Sequence, residues 1–116
     1  MKTILLMLVA SLLLLPTPAP AATRSFTGEI MDSSCAQLGS HAKMMKSMDI
    51  KTAKECTLDC VKAGSKFVLF NRATKTIYQL DDQTKPAAFA GEKVRVTGSY
   101  DKTTKTIHVL RIVHGA

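Results

Sequence analysis

The chain has 116 residues, 46% hydrophobic and 22% charged, with only 5% aromatic residues, no tryptophan, three cysteines and a formal net charge of +7 at pH 7. That length allows one small core and excludes a multidomain enzyme. The basic residues are spread along the chain, which describes a solvated lysine-rich surface, and so few aromatics leave little to stack bases on, so nucleic-acid binding is not expected.

The N-terminus reads as an export leader. Met1 and Lys2 give a positive start, residues 4–15 are apolar except for Ser11, and Ala19 and Ala21 form an A-x-A cleavage pattern among Pro16, Pro18 and Pro20. The run is shorter than the roughly 20 residues that cross a hydrocarbon core. The expectation is a signal peptide over 1–21 and one domain over 22–116, exported to the periplasm or beyond, monomeric and with no membrane span after cleavage. Loss of Lys2 lowers the net charge by one.

The first strand is expected over 26–31, with Phe26 and Ile30 on one face and Thr27 and Glu29 on the other. Gly28 inside it signals a bulge or sharp bend. An insert follows over 32–64 and carries the chain's chemistry: Cys35, His41, Met44, Met45, Met48, Cys56 and Cys60. Thr52 and Glu55 form a capping box, and Gly64 supplies a stop, so a helix is expected over 53–63 with Cys56 and Cys60 one turn apart. His41, Met44, Met45 and Met48 fall on one face at helical spacing.

Residues 66–70 read as a buried strand. Residues 70–80 then echo residues 100–110, with Thr74, Lys75, Thr76, Ile77 and Leu80 recurring 30 positions later, and each copy reads as strand, turn, strand. Between the hairpins, Pro86, the alanines after it and Gly91 indicate a short helix. Residues 93–100 alternate, with Val94, Val96 and Tyr100 inward. The expected fold is mainly β: a five-stranded OB-like barrel with a helical insert after strand 1 and a short helix between strands 3 and 4. A simple antiparallel sheet packed by one helix is the alternative.

Three chemistries suit the insert. In an oxidising compartment Cys35 can bond Cys56 or Cys60 and staple the insert, whereas Cys56 and Cys60 at helical spacing sit too far apart for each other. Alternatively, Cys35, His41, Cys56 and Cys60 make a Cys3His set for zinc, and the methionines turn that set toward copper(I). A methionine stripe at helical spacing also fills cores. A redox thiol near the start of the helix is the third option, but no C-x-x-C accompanies it. Asp32, Ser33 and Ser34 lack the surroundings of a nucleophile elbow, Asp32 or Ser33 suits a turn cap, and no other residues propose catalysis. The partner is then a metal ion or an unidentified envelope protein.

The motif Gly28, Asp32, Ser33, Cys35, then His41, then Cys56, Cys60, Val61 and Lys62, with a V-x-V-T-G strand ending at Gly98, resembles a family of small exported bacterial proteins known as a domain of unknown function. The likeness covers nearly the whole mature chain. It implies a β-rich exported domain whose motif residues are Asp32, Ser33, Cys35, His41, Cys56 and Cys60, and it implies no activity.

Overall fold

A computed structural model describes residues 13–16 and 21–115, so most of the expected leader lies outside the described residues. The chain runs β1 (Arg24–Asp32), α1 (Ser33–Leu38), α2 (Ala42–Met48), α3 (Ala53–Lys62), β2 (Phe67–Asn71), β3 (Thr76–Leu80), a 3-10 helix (Lys85–Phe89), β4 (Lys93–Asp101) and β5 (Thr106–His114). Among the described residues no helix is long and apolar enough to cross a membrane.

The five strands form one mixed sheet that closes on itself in the order β1-β2-β3-β5-β4. Every neighbouring pair is antiparallel except β3 and β5, which meet in parallel through Gln79 with Thr106 and Leu80 with Ile107. The open-sheet alternative is therefore corrected: β1 is paired on both sides, with β4 from Arg24 to Glu29 and with β2 from Glu29 to Asp32. Period-two alternation sends Phe26, Ile30, Leu69, Val94, Val96 and Ile107 into the ring, where they make the main core.

Closure needs sharp coiling, and two glycines permit it. A Cβ on Gly28 would stand 2.6 Å from the Phe70 carbonyl oxygen, and one on Gly98 would stand 2.1 Å from that of His108. At Gly98 the β4–β5 register also slips: Thr97 faces Arg111 and Gly98 faces Val109, so Leu110 has no partner and turns out to solvent.

The repeated turn sequence folds twice in the same way. Asn71 Oδ1 accepts from the Thr74 amide at 3.2 Å and Asp101 Oδ1 from the Thr103 amide at 2.8 Å, while Lys75 and Lys105 both take left-handed φ values, 56° and 55°. The expected helix after the first hairpin is a 3-10 helix with Pro86 buried, opened by Asp82, whose Oδ1 accepts from the amides of Thr84 and Lys85.

The insert contains three short helices lying on the outer face of β1 and β2. They bury a second apolar cluster built from Met31, Val68 and Phe70 of the strands with Cys35, Ala36, Cys56 and Cys60 of the helices. Met31 of β1 faces this cluster, because Ile30 and Met31 point to opposite sides of the sheet.

Candidate metal centre

Asp32 closes β1 and opens α1. Its Oδ2 accepts from the Cys35 amide at 2.9 Å, the N-cap geometry that satisfies an otherwise unpaired donor and turns Cys35 inward. On α3, Thr52 Oγ1 accepts from the Glu55 amide at 3.1 Å, as the capping box requires, and the helix then runs unbroken through Cys56 and Cys60. These two local signals bring the three cysteines together.

Cys35, Cys56 and Cys60 are free thiols, all buried, and their sulfurs lie within 4.8 Å of one another. The Cys35 and Cys56 sulfurs are 3.8 Å apart. This is nearly twice a disulfide bond length of about 2.05 Å. It matches the separation of about 3.8 Å between two sulfurs each about 2.3 Å from a tetrahedral ion.

A second group overlaps the first. One donor atom each of Asp32, Cys35 and His41 also lies within 4.8 Å of the others, and all three residues are buried. His41 stands at the start of α2, and its Nε2 bonds the carboxylate of Glu29, an outward-facing residue of β1. Glu29 also receives Arg72 at 3.4 Å. In a neutral imidazole, a carboxylate that accepts the Nε2 proton leaves Nδ1 as a bare lone pair.

That Nδ1 and the Oδ1 of Asp32 are both buried and neither has a hydrogen-bond partner. Buried acceptors without partners are costly, and native interiors hold few of them. Here two occur beside three thiols, which is the donor set of a cation site. Either group, Cys35 with Cys56 and Cys60 or Cys35 with His41 and Asp32, could therefore hold a metal ion.

No protein-family model, curated protein or solved structure matches the chain.

Burial governs the thiols. It pushes the Cys60 thiol up to about 11, with the negative charge of Asp32 adding to the effect. Cys35 is raised further, first by burial and then by its contact with Asp32. An arriving cation therefore has to displace protons held more tightly than on an ordinary thiol.

Of the expected ligands, the structure brings Cys35, Cys56 and Cys60 together, and it places His41 with Cys35 and Asp32 in the second, overlapping group. Met44 and Met45 are half-buried and pack against the thiol cluster, while Met48 is 49% exposed and lies outside it. The expected stripe thus breaks up, because α2 is only seven residues long and ends at Asp49 in a left-handed conformation. His41 leaves the stripe as well, since it precedes the helix and reaches back to β1. Asp32 as a donor and Glu29 as the support of His41 are not expected from the sequence as ligand-site residues; there Asp32 suits a turn cap and is a motif residue of the resembled family, and Glu29 is only an outward strand position. His108 and His114, on the exposed side of the last strand, pair with Asp81 and Glu92 at 3.1 Å each and take no part.

Proposed function

We propose that this is an exported, non-enzymatic protein that binds a soft transition metal ion, copper(I) with zinc as the alternative, for chelation or delivery in the cell envelope. The ligands are Cys35, Cys56 and Cys60 with His41, and Asp32 stands by as a further oxygen donor. One observation carries the reading: three buried sulfurs lie within 4.8 Å of one another, and one of them, that of Cys35, lies equally close to donor atoms of buried His41 and Asp32. Three thiolates favour copper(I), the half-buried thioethers of Met44 and Met45 extend that softness, and imidazole with carboxylate suits zinc.

Export is supported by the leader-like residues 1–21, and the family likeness by the motif residues alone. An OB-like barrel is supported by the ring order, with strands 3 and 5 meeting in parallel and a short helix between strands 3 and 4.

The test is an anaerobic titration of the reduced protein with copper(I) and with zinc, each against a chromophoric chelator. One tightly bound equivalent is expected, lost in Cys60→Ser. Retention of full affinity in that variant would remove the thiol triad from the site. A second reading rests on the 3.8 Å approach of Cys35 and Cys56: in an oxidising compartment these two join, and the protein is a stapled module that engages an envelope partner through its barrel surface. Protein isolated without reductant would then carry no metal, weigh two hydrogens less and titrate as one thiol.

A further inference from the structure

A cleft of about 310 Å³ opens on the outer side of the ring, lined by Thr27, Gly28 and Glu29 of β1, by residues at the end of β2, and by Lys93, Val94 and Arg95 of β4. Its origin is the change of partners along β1. From Arg24 to Glu29 this strand pairs with β4, but β2 joins it only from Glu29 onward and turns away after Asn71. Beside Thr27 and Gly28 the β1–β2 ladder is therefore not continued, although the Phe70 carbonyl still stands close to Gly28 and Asn71 Nδ2 donates to the Thr27 carbonyl at 3.4 Å.

The cleft has a marked charge pattern. Arg72 enters from the β2–β3 turn, and Lys93 and Arg95, two positions apart on β4, extend from the same face of the sheet. Among the described residues neither Lys93 nor Arg95 has a carboxylate within ion-pairing distance. The one acid in the wall, Glu29, is already engaged by His41 and Arg72. Arg72 is half-exposed and holds Glu29 through a single long contact of 3.4 Å, which leaves most of its guanidinium donors free. Phe70 and Val94 also line the cleft, but their side chains are buried, that of Val94 in the ring core and that of Phe70 in the second cluster.

We propose that this cleft binds a small organic oxyanion, a carboxylate or phosphate monoester whose oxygens take the guanidinium and ammonium donors of Arg72, Lys93 and Arg95. Arginine forks match the two oxygens of such groups, and the volume falls at the small-ligand end of the usual range of about 300–1,000 Å³. A polyanion such as nucleic acid is disfavoured, because the cations surround a concavity instead of forming a ridge that tracks a chain. The net charge of +7 steers anions toward the molecule but would do so everywhere, so the local geometry must supply selectivity.

The test is an NMR titration of the reduced, metal-free protein at 0.15 M salt with phenyl phosphate, benzoate and benzyl alcohol. The proposal does not depend on the metal reading, and omitting metal keeps the two outcomes separate. Phenyl phosphate and benzoate are expected to saturate with dissociation constants below about 1 mM. Their shifts should be confined to residues 27–29, 70–72 and 93–95, while benzyl alcohol has no effect. Arg72→Gln and Arg95→Gln should each weaken binding about tenfold, the cost of one charge-assisted contact. Lys62→Gln, on the exposed end of α3, should leave it unchanged, and unperturbed spectra of the variants would show that they fold. Failure to saturate, equal binding of benzyl alcohol, or equal loss in Lys62→Gln would overturn the proposal. So would binding of a heparin oligosaccharide where phenyl phosphate does not bind.

Discussion

Glu29 links the two halves of the site. It touches no thiol, yet it fixes which nitrogen of His41 faces the cluster, and it does so from a strand that the ring holds on both sides. Supporting carboxylates of this kind typically alter metal affinity by about 10–100-fold. Glu29→Gln keeps the shape and loses the charge, so affinity measured by chelator competition should fall by roughly that factor while the fold is retained. If His41 is not a ligand, the same substitution leaves affinity unchanged. The two kinds of site residue also differ in how readily a sequence reveals them. Cys56 and Cys60 are fixed by local rules, helical spacing and a cap, and were legible. The roles of Glu29 and Asp32 depend on what the strand's outer face meets after the chain has passed through three helices, and no local pattern encodes that meeting.

At the scale of elements, the repeated hairpins show where local chemistry stops deciding. Both turns form alike because Asn71 and Asp101 each accept from the amide three residues on, that of Thr74 and that of Thr104, and the following lysines accept a left-handed backbone. The copies then diverge at their fourth and fifth shared residues: Ile77 packs against the outer cluster and Leu80 is buried in the ring, whereas Ile107 lies in the ring core and Leu110 is 64% exposed. The facing is thus already opposite at Ile77 and Ile107, and the register slip opposite Gly98 adds Leu110 as an extra residue, after which Ile112 returns to the core. A sequence repeat cannot show this, because the slip belongs to the strand pair and to the curvature that closure imposes. Gly98→Ala would press a methyl group to 2.1 Å from the His108 oxygen, so it should lower unfolding free energy by about 2–4 kcal/mol. Leu110→Lys, at the bulge itself, should stay within about 0.5 kcal/mol, since its side chain already lies in water. Urea denaturation of the two variants tests the register; a large cost at Leu110 would mean that the bulge lies elsewhere.

For the molecule as a whole, a proton and a metal ion compete for the same buried sulfurs, and that competition links stability to pH. The insert is held to the ring through the second apolar cluster, and the thiols are part of that cluster. An unfolded chain ionises Cys60 near the ordinary thiol value of 9.0, whereas the folded one does so only near about 11. Between these values the unfolded state binds fewer protons than the native state. The contribution is therefore fully present below pH 9 and drains away as pH rises toward 11. The empty protein should lose melting temperature between pH 7.5 and pH 10, and Cys60→Ala should lose less over the same interval. Metal reverses the dependence, because a coordinated thiolate has already given up its proton and alkali no longer favours unfolding. An ion present at a thousand times its dissociation constant adds about 4 kcal/mol. For a domain of this size that raises melting temperature by on the order of 20 °C, and a chelator should remove the gain. Melts of the reduced protein at both pH values, with and without one equivalent of ion, check the sign of each effect. An alkaline loss that is identical in the empty protein, the loaded protein and Cys60→Ala would show that the lysines and tyrosines drive it and that the thiols take no part.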